Sequence, residues 1–153
     1  MKIRADEHVA PKLVDTVRTL ACSPSVELSS VIDVGHQGAS DAWWVTAFAQ
    51  DGGDAILSAD TDFFQRHHQI VAIRQTGLKV IHLPKKWANA PAHLQAAHLL
   101  MWWPKIEQTV RDASPREVWE VKWNISTTGE LQRKTVDDAT HRKKAKKAKR
   151  KTR

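Results

Sequence analysis

Tyrosine does not occur in this 153-residue chain, and cysteine occurs once, at Cys22. A lone thiol forms no internal disulfide, which excludes a disulfide-stapled scaffold and suits a reducing compartment. Long apolar runs are missing as well. Nothing approaches the ~18 residues of a membrane span, so no membrane partner is expected. The opening MKIRADEHV has no apolar leader region, so no secretion signal is read and a cytoplasmic setting is expected. Hydrophobic residues make up 41% and charged residues 27%, the balance of a globular protein with a core of its own. The length suits one domain, with room for a tail.

Acids are absent from the last twelve residues, RKKAKKAKRKTR, nine of which are Lys or Arg. Setting those nine aside leaves fifteen basic residues against seventeen acidic ones. The net charge of +7 therefore belongs to the tail, and the body is slightly acidic. So dense a block of one sign repels itself and buries nothing, so it is expected to be disordered alone. Arg142, Lys143, Lys144, Lys146, Lys147, Lys149, Arg150 and Lys151 form a candidate nucleic-acid-binding arm. An acidic protein partner would satisfy the same charges, and a merely solubilising tail is the plainer alternative.

The body alternates strands and helices. Lys2 to Ala5 reads as a strand. Pro11 opens a helix to residue 21, with Leu13, Val14, Val17 and Leu20 at helical spacing. VELSSVIDV, residues 26–34, is a second strand, clearest at Val31-Ile32. Gly35-His36-Gln37-Gly38 is a loop, Ser40 a candidate N-cap, and a helix runs from Asp41 to about Gln50. Ala55 to Ser58 is a third strand, 62–76 a helix in one or two pieces ended by Gly77, and Leu78 to Leu83 a fourth strand. Pro91 to Trp103 is a further helix, which Pro104 kinks or restarts. Then the period changes to two. Trp119, Val121, Trp123 and Ile125 alternate with polar residues, Thr127-Thr128-Gly129 marks a turn, and Leu131 to Val136 returns. The expected fold is α/β with a mainly parallel sheet, residues 1–113, carrying an appended β-hairpin, 114–136, and a basic tail, 137–153.

Carboxylates concentrate where such a sheet places its chemistry, beyond the carboxyl ends of the strands. Asp6 and Glu7 follow the first strand, Asp60 and Asp62 the third, and Asp41 opens the helix after the second. Taken singly, Asp41 is an ordinary helix-start acid and Asp62 an ordinary cap. Five acids on one rim repel one another, and a hard divalent cation is a better counterweight than water. Mg²⁺ or Mn²⁺ held by Asp6, Asp41, Asp60 and Asp62 is the expected cofactor.

The stretches IRADEHVAPKLVDTVR, GASDAWWVTAFAQ, ILSADTDFF and KVIHLP, in this order, resemble a PIN-like domain over residues 2–84. The subgroup they resemble opens with a D-E-N-type motif and carries T-x-D-x-D-F, as in VapC-type toxins. The resemblance implies a three-layer sandwich and a Mg²⁺- or Mn²⁺-dependent endoribonuclease, the toxin of a type II toxin–antitoxin pair. It implies that Asp6, Asp41, Asp60 and Asp62 are catalytic and metal-binding, and that Ser58 orients a carboxylate, with Glu7 beside them. RNA, an antitoxin and a second copy of the chain are the partners it suggests. His8 stands where the subgroup often has Asn, and the hairpin and tail are outside its pattern.

Two other classes stay open. A phospho-acceptor signalling domain also has an acidic pair after its first strand, here Asp6-Glu7, and an acid after its third, here Asp60. It leaves Asp41, Asp62 and the basic tail without a role. A non-catalytic nucleic-acid-binding module would gain nothing from the acids, which repel phosphate. His36 is a candidate substrate contact, and Lys85 and Lys86 candidate phosphate contacts. Of the Trp43-Trp44 pair, one ring is expected in the core and the other exposed, where it offers a stacking surface or a protein anchor.

Overall fold

The computed structural model describes residues 1–36, 41–125 and 129–135. The expected Ser40 cap, the Thr127-Thr128 turn and the basic segment 137–153 lie outside them. The elements are β1 (Lys2–Ala5), α1 (Pro11–Leu20), β2 (Glu27–Ser30), α2 (Asp41–Gln50), β3 (Ala55–Ser58), α3 (His67–Thr76), β4 (Lys79–His82), α4 (Lys85–Ala88), α5 (Ala92–Asp112), β5 (Val118–Glu120) and β6 (Gln132–Lys134). A 3-10 turn, Phe63–Gln65, precedes α3.

The strands form one six-stranded sheet in the order β2-β1-β3-β4-β5-β6. Every pairing is parallel except the last, between β5 and β6. The period of two along each strand sends its side chains to opposite faces. Ile3, Ala5, Leu28, Leu57 and Ile81 pack with α1 and α5, through Leu13, Val17, Trp102, Trp103 and Ile106. Ile56 and Val80 pack with α2 and α3, through Trp44, Phe48 and Ile73. The molecule is thus three layers, α1/α5, sheet, α2/α3. The central strand β3 is buried along its whole length, as a parallel strand covered on both faces must be. Gly77 ends α3 in the left-handed conformation, φ 77°, its N–H donating to the Ile73 carbonyl.

Four expectations change. β2 stops at Ser30, and Val31 and Ile32 belong to a turn. Val31 is apolar because it is buried under α2, not because it is in a strand. The helix expected over Pro91 to Trp103, kinked or restarted by Pro104, runs on through that proline to Asp112, and Trp102-Trp103 sit in its middle. Pro104 forfeits one backbone bond, but buried Trp102, Trp103, Ile106 and Val110 hold both sides of it to the sheet. The expected hairpin is no appendage, because β5 pairs with β4 at Val80–Val118 and extends the main sheet.

The fourth change concerns the alternating stretch 119–125, which is a strand only to Glu120. Its later carbonyls are taken by α5 instead. His98 Nε2–H donates to the Lys122 carbonyl at 2.6 Å, and Trp102 Nε1–H to the Asn124 carbonyl at 2.8 Å. Burial holds the His98 pKa below its usual value, so the ring meets that carbonyl as a neutral donor. The far end of the sheet is closed by buried Glu107 on α5. Its Oε2 accepts from the Ser23 N–H and hydroxyl, and Arg111 lies 3.3 Å from its Oε1. Trp102→Phe should therefore cost about 1–3 kcal/mol, from one lost hydrogen bond and a partly filled cavity. Urea melts of the two proteins check this. Equal stability would mean that α5 does not anchor the segment.

Candidate active site

β1 and β3 are neighbours, but the chain after β1 goes to β2 on one side and later returns to β3 on the other. Their carboxyl ends are therefore a switch point, where departing loops leave a crevice. Asp6 and Ser58 face each other there. The ladder continues one residue past β1, with the Asp6 N–H donating to the Leu57 carbonyl at 3.0 Å.

The Asp6 carboxylate is buried and held from three directions. Oδ2 accepts from the Ser58 hydroxyl at 2.5 Å. Oδ1 accepts from the His8 N–H at 3.0 Å and from the Ala59 N–H at 3.4 Å. The Ser58 oxygen in turn accepts from the Asp60 N–H at 3.2 Å. One hydroxyl thus ties the first acid to the backbone of the next.

Asp60 is only 3% exposed. Its Oδ1 accepts from the Asp62 N–H at 2.9 Å, a local turn that makes the chain reverse after β3. Its carbonyl accepts from His82 Nε2–H at 2.9 Å, and His82 stands opposite Ser58 in the β3–β4 register. Its Oδ2 lies 3.4 Å from Arg66 Nε and 3.9 Å from His8 Nε2. The same guanidinium reaches Asp41, Nη1 to Oδ2 at 3.4 Å, while Asp41 Oδ1 accepts from Trp44 Nε1–H at 3.1 Å. Arg66 is therefore a bridge between two carboxylates from segments 19 positions apart in sequence, Asp41 and Asp60.

Of the expected residues, Asp6, Ser58, Asp60 and Asp41 are joined in one network. Glu7 and Asp62 are not. Both side chains are exposed, and Asp62 enters only through its N–H. Lys85 and Lys86 are exposed on α4. Trp43 is 54% exposed and Trp44 4%, the division expected of that pair. His36 packs edge-on against Trp43, ring centroids 4.7 Å apart. Among the described residues no three acids, histidines or cysteines stand together in an arrangement able to hold a metal ion.

Arg66 and His82 were not anticipated. His82 carried a signal, a polar residue closing the apolar strand KVIH. Arg66 carried none, because its meaning depends on Asp41 arriving from another helix. As donors, the joined acids offer only hard oxygen, which fits Mg²⁺ or Mn²⁺ rather than a soft ion.

Burial pushes the Asp6 carboxyl above the usual carboxylate range, and the Ser58, His8 and amide contacts oppose this without cancelling it. An acid with a raised folded pKa binds its proton more readily when folded. Its stabilising effect is complete below the unfolded value, about 4, and fades as pH rises through the folded value. Metal-free protein should lose stability over that interval, and Asp6→Asn, which cannot ionise, should flatten the loss. Denaturant melts across a pH series measure it. An identical profile in the variant would mean that Asp6 ionises without cost.

Comparison with known proteins came out one-sided. No curated protein and no solved structure matches the chain significantly. A family model does: that of the PIN like domain, over residues 1–85. Those residues run from β1 to the first residue of α4 and include every member of the acidic network. They are more than half of the chain, and the parallel sheet and its switch-point acids agree with that match: the chain belongs to the PIN-like domain family.

Proposed function

We propose that the protein is a metal-dependent endoribonuclease, with Asp6, Asp41, Asp60 and Asp62 holding Mg²⁺ or Mn²⁺. The observation that carries this reading is the linkage of three acids at the switch point, Asp6 to Asp60 through Ser58 and Asp60 to Asp41 through Arg66. Family membership supports a nuclease-type fold. A bound metal would supply Lewis-acid charge for a phosphodiester and a more acidic attacking water. The chain's own part is positioning. Ser58 fixes the rotation of the Asp6 carboxylate, and the Asp62 N–H fixes that of Asp60. Asp62, exposed beside them, is free to turn toward a cation. A phospho-acceptor domain would have no use for Asp41 tied to Asp60.

The proposal extends to a toxin of the VapC type, acting in the cytoplasm on RNA and held in check by an antitoxin, with a homodimer as its assembly. The motifs Asp6-Glu7 and Ser58 to Phe63 support it, although His8 departs from the D-E-N pattern. The tail, Arg142 to Arg153, is assigned phosphate contacts without base reading, since it has long point charges and no aromatic ring.

Asp60→Asn should lower cleavage of total RNA in Mn²⁺ by about a hundredfold or more, beyond the 10–100-fold typical of losing a supporting contact. It keeps the side chain's size, so thermal melting should stay cooperative. Full activity in the variant would remove Asp60 from the site.

Arg66 neutralises two of the acids that the metal needs, so the two cations compete. Mn²⁺ at about a hundred times its dissociation constant stabilises a binding-competent fold by ~2.7 kcal/mol. The Mn²⁺-induced rise in melting temperature should be larger in Arg66→Gln than in wild type, and absent in an Asp6→Asn, Asp60→Asn double variant. Equal shifts in all three would mean that Mn²⁺ binds elsewhere.

A further inference from the structure

A row of polar side chains crosses the sheet at its carboxyl edge. Ser58 on β3 stands opposite His82 on β4, and His82 opposite Glu120 on β5. Register partners in a sheet lie side by side on one face. The ladder continues one residue past the first two, with Leu83 N–H donating to the Ser58 carbonyl at 2.8 Å and Val121 N–H to the His82 carbonyl at 3.0 Å. The row is therefore fixed at its roots. Two positions earlier the same strands carry Ile56, Val80 and Val118 on this face, all buried core.

Ser58 is explained by Asp6 and the Asp60 N–H. His82 needs an explanation of its own. It is 6% exposed, and a buried polar ring costs stability unless it is bonded. An apolar residue such as Val80 carries no such cost. The bond from its Nε2–H goes to the Asp60 carbonyl at 2.9 Å. The same carbonyl accepts from the Phe63 N–H at 3.2 Å, which closes the turn after β3. His82 thus joins that turn to β4, and the turn is what presents Asp60 to Arg66 and to the Asp62 N–H.

The other side of the ring meets the extension of the sheet. Glu120 Oε2 lies 3.7 Å from His82 Nδ1, and Glu120 Oε1 lies 3.8 Å from Lys134 Nζ on β6. The family match ends at residue 85, so Glu120 and Lys134 come from outside it.

We propose that His82, steadied from β5 by Glu120, is a positioning residue for Asp60. Its Nε2–H fixes the Asp60 backbone, and with it the place of the carboxylate in the acidic cluster. The strand β5 is then part of the site as well as of the sheet. The use made of Asp60 rests on the nuclease reading, while the positioning does not.

The test compares two substitutions in the full chain. Glutamine carries its amide nitrogen as many bonds from Cα as histidine carries Nε2, and asparagine as many as Nδ1. In isotope-labelled, metal-free protein, hydrogen exchange of the Asp62 amide reports whether Asp60 Oδ1 still accepts from it. His82→Asn should speed that exchange about fivefold, the worth of one net hydrogen bond. The Ile3 and Leu28 amides, on strands away from the turn, should exchange as in wild type. Mn²⁺ affinity, read from the electron-spin signal of the free ion, should fall about 10–100-fold. His82→Gln should return both values to near those of wild type. If His82→Asn fails to melt cooperatively, His82→Gln and Glu120→Ala carry the test: the first must keep the wild-type exchange and the second must speed it. Equal losses in the Gln and Asn variants would make the ring mere packing and overturn the proposal. So would an unchanged Asp62 amide in folded His82→Asn, or a rise in exchange spread evenly over all strands. The expected exchange pattern in a wild type that binds no Mn²⁺, or binds it without cleaving RNA, would uphold the positioning and remove the nuclease reading.

Discussion

The ion pair between Asp60 and Arg66, 3.4 Å long at the end of a strand buried on both faces, is the contact on which the site depends. A carboxylate so deeply placed loses its water, and only charge and hydrogen bonds can replace it. Asp60 has both, the guanidinium on one oxygen and the Asp62 amide on the other. The guanidinium also holds Asp41, so the pair fixes where α2 begins relative to the turn after β3. Asp6 has no such cation. Its neighbours are a hydroxyl, two amides and the His8 side chain, which together do not cancel the burial that raises its pKa. The site thus has one acid matched by a guanidinium and one held by a hydroxyl and amides, with His8 beside it.

That contrast rests on the sheet. The switch between β1 and β3 puts Asp6 and Ser58 side by side, and the β3–β4 register sets His82 under Asp60. The strands can be this short, three or four residues each, because both faces are covered and α5 clamps the last connection through His98 and Trp102.

Much of this was legible in the residues. The strand–helix alternation, the stop at Gly77 and the place of Asp6, Asp41 and Asp60 are local or nearly local signals: a period, a cap, a strand end. The errors have a common cause. Val31-Ile32 and Trp119 to Ile125 show the hydrophobicity of buried strands, and Val31 and Val121 are buried, with Ile32, Trp119 and Trp123 partly so. Burial alone, however, does not say what takes the backbone hydrogen bonds. For Lys122 and Asn124 the partners are side chains some two dozen residues upstream. Arg66 was illegible for a similar reason, because a cation's role is set by which acids reach it. That α5 runs ten residues past Trp102 was not legible either, since burial on both sides of Pro104 is what carries the helix through it.

The strand order has a consequence for synthesis. After β2 takes one edge, each later strand joins the other edge in the order in which it is made, β3, β4, β5, β6. No strand must insert between two that are already paired. A chain leaving the ribosome at roughly 5–20 residues per second can therefore build the sheet outward without undoing it. Asp6, Asp41, Ser58, Asp60 and Arg66 have all been made before β4 begins. The layer that covers the other face, α5, comes tens of residues later. For that interval the nascent protein would have its charged crevice complete while Ile3, Leu57 and the inner face of α1 still await their cover. The residues of the crevice are all made early, and the core is what ribosome-bound chaperones would have to shield.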